Sequence, residues 1–208
     1  MKTAFIDAYI NDCLTNNKRP DNVFLFAKAM NIEESEFYQH YSTLTALEAD
    51  IYRTWFLKAY EQCEQNELWG GYSTREKILA VFYTLIEVIK PNRSFATFLK
   101  KQDVKKLPQW PSYLAELNKV FIDKLKPILF EGVSSKELAS RKYLEDKYAD
   151  AIWLNWLFVL AFWIDDNSAG FEKTDEAIEK SVNLSLDLMG TGPLDSMLNF
   201  GKFLFQNR

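Results

Sequence analysis

Apolar residues recur along most of the chain at intervals of three and four residues, which is the spacing of one face of an α-helix. In the first stretch, the repeating residues are Ile6, Tyr9, Ile10 and Cys13. Similar stripes continue through later segments, and none shows a convincing alternation of period two. The pattern predicts an all-α protein of roughly nine or ten helices.

Local signals set several of the expected helix boundaries. Ser73 and Glu76 have the spacing of a capping box, in which each side chain bonds the other residue's backbone N–H, so a helix should begin there. Ser134 and Glu137 repeat that spacing, which predicts the start of a long helical segment reaching Ile164.

Glycine and proline residues predict where several of the helices end or bend. We expect a turn over residues 107–111, then a helix over 112–131 that is kinked at Pro127 and ends at Gly132. A final helix should follow the break at 190–193 and run to about Gln206.

Residues 23–47 have the pattern of a helix-turn-helix motif. The first of its helices has an apolar stripe made of Val23, Phe26, Ala27 and Met30. Asn31 tolerates the left-handed conformation that a tight corner needs. The second helix turns Phe37 and Tyr41 inward, four residues apart.

This stretch resembles the DNA-binding half of the tetracycline-repressor (TetR) family. The resemblance lies in Phe26-Ala27 before the turn, in Phe37-Tyr38-Gln39-His40-Tyr41, and in Thr43-Leu44-Thr45-Ala46-Leu47 at the start of the next helix. The family's turn glycine is Asn31 here, and its lysine near the start of the connecting helix is absent. The resemblance implies a three-helix DNA-binding domain over residues 1–46 and a larger helical domain over 47–208 that binds an effector and dimerises.

The resemblance also implies which side chains would face DNA. A recognition helix lies in the major groove, where its outward residues contact bases and phosphates. The candidates are Ser35, Tyr38, Gln39 and His40, with Lys28 and Thr43 beside them. Operator DNA is therefore the partner that this motif favours.

The charge of the motif argues against DNA binding. Residues 1–50 contain 4 basic and 8 acidic residues, a balance of 4 − 8 = −4, whereas phosphate binding needs a basic surface. Glu33, Glu34 and Glu36 stand at the start of the recognition helix. Acids are stabilising near a helix N-terminus, by about 0.3–1 kcal/mol each, so these three are either helix-start residues or a surface that repels DNA.

Composition describes an ordinary globular protein. The 208 residues are 48% apolar and 26% charged, with a net charge of −4. The chain shows no apolar signal core near its start, and Cys13 and Cys63 are too few for a disulfide framework. We therefore expect a cytoplasmic protein with both thiols reduced.

The most apolar stretch is residues 151–164. It is shorter than the ~20 residues that a membrane-spanning helix needs, so burial between helices is the better interpretation. In the resembled family, two late helices of each subunit form a four-helix dimer interface, and the helices over 142–164 and 174–189 are the candidates here. The alternative is that these helices form the core of a monomer.

The sequence offers no catalytic motif and no cofactor-binding motif. Glu36 and His40 have a spacing that could hold a metal ion, but one carboxylate and one imidazole rarely form a site alone. We therefore expect neither an enzyme nor a metal site.

The resemblance does imply an apolar or aromatic small-molecule effector. The candidate ligand-binding residues are Tyr83, Tyr113, Phe121, Asn155 and Trp156. Asn155 is the one amide in the apolar run, so it either bonds within the protein or holds a ligand's polar end.

Two functions remain open. The first is a ligand-responsive transcriptional regulator that binds operator DNA as a dimer. The second is a TetR-fold lipid or small-molecule binding protein that no longer binds DNA. The acidic start of the recognition helix favours the second, and the intact spacing of the motif favours the first.

Overall fold

A computed structural model describes residues 2–103, 111–141, 144–192, 200–201 and 203–207. Nine α-helices and no strand occur in these ranges, which confirms the predicted fold class. The helices are α1 Lys2–Asn16, α2 Val23–Ala29, α3 Glu34–Tyr38, α4 Leu44–Glu64, α5 Thr74–Ile89, α6 Arg93–Asp103, α7 Ala115–Ser134, α8 Tyr148–Asp165 and α9 Glu172–Met189. The expected turn at 107–111 and much of the expected last helix fall outside the described residues.

Internal contacts divide the chain into two compact units. Unit 1 comprises Met1–Ala59 and Glu87–Val120, and unit 2 comprises Tyr60–Ile86 and Phe121–Arg208. The predicted functional division at residues 46 and 47 stays a prediction.

Unit 1 contains the helix-turn-helix. Phe26 of α2 and Phe37 of α3 meet edge to face with ring centroids 6.0 Å apart, and Phe5 of α1 packs on Phe37 at 5.8 Å. Asn22 caps α2 by accepting a hydrogen bond from the backbone N–H of Leu25. At the corner Asn31 adopts φ = 57°, the left-handed conformation expected there.

In unit 2, helix α5 begins with the expected capping box. The Glu76 carboxylate accepts from the backbone N–H of Ser73 at 2.8 Å, and the Ser73 hydroxyl accepts from the backbone N–H of Glu76 at 3.2 Å. A residue from another element completes the cap, because Glu137 Oε2 accepts from the backbone N–H of Thr74 at 2.9 Å.

That bond corrects the prediction for Ser134 and Glu137. No helix begins there: Ser134 is the last residue of α7, and α8 starts only at Tyr148, after a 3-10 turn at Glu145–Lys147. Capping-box spacing identifies an acceptor near an N-terminus but not which N-terminus it reaches.

The prediction that the helix ends at Gly132 is also wrong, since α7 continues past this residue to Ser134. A Cβ atom at this position would lie 2.5 Å from Thr74 Oγ1. The glycine is therefore explained by the close approach of the start of α5, and not by helix termination. Pro127 lies inside α7 as the sequence indicated.

Helix α8 holds the apolar run. One side is buried, including Ile152, Trp156 and Trp163, while Leu154 and Phe158 on the other side are about half exposed, at 55% and 51%. No helix within the described residues is both long and apolar enough to cross a membrane.

Candidate functional site

The outward side of the helix-turn-helix presents most of the residues that the sequence identified. Ser35 and Gln39 are exposed around α3, and Lys28 is exposed on α2. Thr43 is exposed at the start of α4, where its hydroxyl caps the helix by accepting from the backbone N–H of Ala46 at 3.0 Å. Four of the six DNA-contact candidates thus lie at the surface of this motif with no acidic partner.

Tyr38 is exposed but already engaged with an acid. Its hydroxyl donates to Glu34 Oε1 at 2.9 Å, one helical turn earlier. This bond to Glu34 raises the pKa of Tyr38 above its ordinary value. Tyr38 can donate to a phosphate only after releasing the carboxylate, so Glu34 would compete with a DNA phosphate for this hydroxyl.

His40 lies less outward than the sequence indicated. Its ring packs on Phe5 with centroids 5.2 Å apart, and its Nε2 atom is buried without a hydrogen-bond partner. The helical spacing placed it on the outer face, but α3 ends at Tyr38 and the backbone turns before residue 40. Its contact with DNA stays a prediction.

Most basic residues in this part of the chain are held by acids. Lys18 pairs with Asp21 at 2.8 Å, Arg19 with Glu48 at 2.7 Å, and Lys2 approaches Asp50 at 3.6 Å. Among the described residues up to 50, this leaves Lys28 as the basic side chain for which no ion pair is found.

Two of the acids counted against DNA binding are interior residues. Glu48 and Asp50 on α4 are 3% and 9% exposed. Glu48 accepts hydrogen bonds from Tyr9 at 2.6 Å and from Arg19 at 2.7 Å. They are neutralised where they lie, so they do not contribute the surface repulsion that a count by sequence assigns to them.

Asp50 is held in a similar way. It accepts from the Tyr41 hydroxyl at 2.9 Å and pairs with Arg53 at 3.0 Å. Burial, reinforced by these carboxylates, raises the pKa of both Tyr9 and Tyr41, so both phenols remain protonated donors. A signal was present in the sequence, because residues 48 and 50 flank the buried Leu47 and Ile51 on the same helix.

In unit 2, two of the effector candidates come together. Phe121 and Trp156 both pack on Phe82, with ring centroids 6.3 Å and 5.4 Å away. Trp156 is 1% exposed, and its indole Nε1 has no hydrogen-bond partner. An unpartnered donor in an aromatic core could bond the acceptor atom of a small molecule.

Asn155 and Tyr83 both bond to α9. Asn155 Nδ2 donates to Ser185 Oγ at 3.0 Å, and its Oδ1 atom is buried without a partner. The Tyr83 hydroxyl donates to the backbone oxygen of Asp175 at 3.3 Å. Tyr113 belongs to unit 1, where it stacks on Tyr52 at 5.2 Å. The five candidates therefore do not form one cluster.

Helices α8 and α9 each expose two large apolar side chains. Asn155 and Ser185 mark the seam between the two helices. Beside this seam, the exposed apolar side chains are Leu154, Phe158, Leu184 and Leu188. The two residues of each helix are four positions apart, so they lie on the same side of that helix.

Reactive groups are few in the described part of the chain. No group of three or more His, Cys, Asp or Glu side chains is arranged to hold a metal ion there. Cys13 is fully buried, and burial raises the pKa of its thiol to about 12. A protonated, enclosed thiol is a poor nucleophile.

Comparison with known proteins agrees with the fold and its layout. No curated protein matches the sequence. A solved structure described as a protein with unknown function from Rhodococcus sp. RHA1 has a similar fold, with a TM-score of 0.59, 12% sequence identity, and coverage of 91% of this chain and 95% of that one.

The family model for the tetracycline repressor-like C-terminal domain matches residues 77–204, which is more than half of the 208-residue chain. This match covers most of the chain beyond the helix-turn-helix motif. The chain therefore belongs to the tetracycline repressor-like family.

Proposed function

We propose that this protein is a cytoplasmic transcriptional regulator of the TetR type. In this proposal a homodimer binds operator DNA through its helix-turn-helix units, and an apolar or aromatic effector controls that binding. The observation that carries it is the motif itself, in which α2 and α3 meet at a left-handed Asn31 and expose Ser35 and Gln39. Family membership supports the dimer and the effector.

The DNA contact rests on few residues. Ser35 and Gln39 have a hydroxyl and an amide that suit base edges, and Lys28 and Thr43 are the proposed phosphate contacts. With Lys28 as the one unpaired cation described up to residue 50, affinity should depend weakly on salt. Hydrogen bonds to the bases and to the DNA backbone then contribute more to the affinity than ionic contacts with phosphate do.

The effector site is placed in the aromatic core of unit 2. Its proposed anchor is the indole N–H of Trp156, with Phe121 and Phe82 around it. Such a donor suits a mainly apolar molecule that carries one carbonyl or carboxylate oxygen. Binding would relieve the cost of an unmade hydrogen bond, roughly 1–3 kcal/mol.

The dimer is placed on the outer face of α8 and α9. Leu154 and Leu184, at 55% and 61% exposed, lie on either side of the seam, so the face can pack against a copy of itself around a two-fold axis. Leu184→Glu should convert the protein to monomer, whereas Leu68→Glu, at a residue equally exposed but on another segment, should leave the oligomeric state unchanged.

A selection of genomic fragments at low salt tests the whole proposal. The wild type should enrich a palindromic site, and Gln39→Ala should lose that enrichment while retaining the fold. Replacing Glu34 by Gln should strengthen binding, because it weakens the competition for the Tyr38 hydroxyl. Failure of the wild type to enrich any fragment would contradict the regulator.

The pairing of basic residues favours a second candidate, a TetR-fold binding protein that does not use DNA. Arg19 is held by the buried Glu48, and Lys2 and Lys18 form weaker, exposed pairs that must also open before either lysine contacts a phosphate. This candidate predicts that Trp156→Phe weakens capture of an apolar ligand while no variant of α3 changes any measured property of the protein except stability.

A further inference from the structure

The recognition helix α3 is too short to be stable by itself. It has five residues, Glu34–Tyr38, and Glu33, which precedes it, contributes no side-chain cap. A helix of this length is unstable alone in water, because few backbone hydrogen bonds offset the cost of ordering the first turn. The proposed contacts of Ser35 and Gln39 with DNA therefore depend on residues outside α3 that hold this helix in place.

The middle of α3 is held by apolar packing. Phe37 is fully buried, and it meets Phe26 of α2 and Phe5 of α1 edge to face, with ring centroids 6.0 Å and 5.8 Å away. Hydrophobic burial is not directional. It keeps α3 against the core without fixing the course of the chain after Tyr38.

A directional hydrogen bond fixes that course at Tyr41. The backbone N–H of Tyr41 donates to the backbone oxygen of Phe37 at 3.0 Å. The Tyr41 side chain is buried, and its hydroxyl donates to Asp50 Oδ2 on α4 at 2.9 Å. Gln39 and His40 lie between Phe37 and Tyr41 in the chain. Their placement is therefore tied to α4 through the Tyr41 hydroxyl.

Asp50 is held in turn by two cations. Arg53 Nη1 lies 3.0 Å from Asp50 Oδ1, and Lys2 Nζ lies 3.6 Å from Asp50 Oδ2. The same Lys2 Nζ lies 5.4 Å from the centre of the Tyr41 ring. These partners compensate the buried carboxylate, and a hydrogen bond to a carboxylate is stronger than one between neutral groups. The acceptor for Tyr41 is thus fixed from several sides.

We propose that Tyr41 and Asp50 are positioning residues for operator binding. Their hydrogen bond holds the end of α3 to α4, so that Ser35 and Gln39 meet base edges without further ordering. Neither Tyr41 nor Asp50 contacts DNA, since both are buried. Groups that are ordered before binding lose less conformational entropy when the complex forms. This role rests on the proposed regulator and concerns its affinity for a specific site.

A second bond on α4 provides a matched control. Two residues before Asp50, the buried Glu48 accepts from the Tyr9 hydroxyl at 2.6 Å and pairs with Arg19 at 2.7 Å. Tyr9 belongs to α1, so this bond joins α1 to α4 and does not hold the end of α3. The two bonds have the same chemistry, a phenol and an arginine on one carboxylate, and differ in the segment that they hold.

Tyr41→Phe and Tyr9→Phe in the full-length chain separate positioning from stability. Each variant keeps the aromatic ring and leaves the carboxylate paired with its arginine. Tyr41→Phe should weaken binding to the selected operator by about 10-fold, which corresponds to the cost of ordering one or two side chains again. Its affinity for non-specific DNA should be unchanged, because the proposed phosphate contact at Lys28 does not depend on this bond.

Tyr9→Phe should keep the wild-type ratio of specific to non-specific affinity, although it removes a bond of the same kind. Urea unfolding of both variants checks that their stabilities fall by similar amounts. Equal losses of operator affinity in Tyr41→Phe and Tyr9→Phe would overturn the proposal, because a general loss of stability would then explain both.

Removal of the acceptor provides a second test. Asp50→Ala should also weaken operator binding, and the double variant with Tyr41→Phe should be little worse than Asp50→Ala alone, because both changes remove one bond. The fold should survive, since the Arg53 and Lys2 side chains are 38% and 58% exposed and water can solvate them. Additive losses would mean that the two residues act separately, contrary to the proposal.

Amide hydrogen exchange in the free protein distinguishes failure of the positioning role from failure of the regulator. Tyr41→Phe should speed exchange at residues 35–41 by about 10-fold, and Tyr9→Phe should not. Unchanged exchange in Tyr41→Phe, in a protein that selects an operator, would overturn the positioning role alone. If the wild type enriches no genomic fragment, the regulator is wrong, and the operator role of Tyr41 and Asp50 is wrong with it.

Discussion

The two units of this protein hold their buried carboxylates with different partners. Unit 1 buries carboxylates: Glu48 and Asp50 on α4 accept hydrogen bonds from Tyr9 and Tyr41 and pair with cations. Unit 2 has an aromatic core at Phe82, and its buried Asp166 accepts hydrogen bonds from the Ser168 hydroxyl and from the backbone N–H and hydroxyl of Thr174, near the start of α9. The Arg19 guanidinium that pairs with the buried Glu48 is not free to contact phosphate, which leaves the helix-turn-helix with few free cations.

The largest effect is expected in the core of unit 2. Trp156→Ala should lower the free energy of unfolding by about 3–5 kcal/mol, because it leaves a cavity beside Phe82. Trp156→Phe should cost less than about 2 kcal/mol, since the lost indole N–H has no partner within the protein. Urea unfolding at neutral pH measures both. Equal losses would mean that the N–H is bonded after all.

The corresponding test in unit 1 removes a buried charge. Glu48→Ala should cost about 2–3 kcal/mol, less than for a fully enclosed pair, because 30% of the Arg19 side chain is exposed. It would leave the Tyr9 hydroxyl without its partner. Asp7→Ala, at an exposed residue of α1, should change stability by less than about 0.5 kcal/mol. If both variants unfold at the same urea concentration, the buried network adds nothing to unit 1.

A pH-dependent contribution is expected from Asp166 in unit 2. Burial alone would raise the pKa of this carboxyl, but hydrogen bonds from Thr174 and Ser168 outweigh burial and lower the pKa to about 2. A lowered carboxyl pKa stabilises the folded state above the unfolded value near 3.9, and the gain is lost as pH falls towards 2.

Asp166→Ala should therefore cost about 2 kcal/mol at pH 7 and progressively less below about pH 5. Urea titrations at pH 7, 5 and 3 would follow this convergence. Asp123→Ala, which removes an exposed carboxylate of α7, should have the same free energy of unfolding as the wild type at each of these pH values. About half of this contribution should remain at pH 3, so a deficit of Asp166→Ala that is as large at pH 3 as at pH 7 would show that the cap acts independently of its charge.

The smallest expected effect concerns Gly132. Alanine there should destabilise unit 2 by about 1 kcal/mol, since the clash with Thr74 Oγ1 outweighs alanine's higher helix propensity. The same change in a Thr74→Ala background should be neutral or stabilising, and Gly71→Ala, where no atom lies within 4 Å of the added carbon, should have little effect. Identical losses in the two Gly132 backgrounds would exclude the clash as the cause.

Sequence reasoning succeeded where a signal is local. The αL turn at Asn31 and the Ser73 and Glu76 capping box follow from the residues beside them. It failed where a residue acts on a distant one. Glu137 caps a helix 63 residues earlier, and Gly132 makes room for Thr74.

The same difference between local signals and long-range contacts applies to the candidate site residues. Spacing along α3 identified Ser35 and Gln39 as outward residues, and the structure places them at the surface. It also indicated an outward His40, but packing on Phe5 turns that ring partly inward. Tyr113 was grouped with Phe121 because both are aromatic, yet it stacks on Tyr52 in the other unit.

The sequence by itself determined the all-helical class, the position of the helix-turn-helix and the family, because helical periodicity, turn residues and short motifs are encoded within a few positions of one another. Only the tertiary structure decided which charges are free. Glu48 and Arg19 are 29 residues apart in the sequence, and each neutralises the charge of the other in the folded protein. A count of acidic and basic residues along the sequence cannot include this pairing, because it is made only by folding.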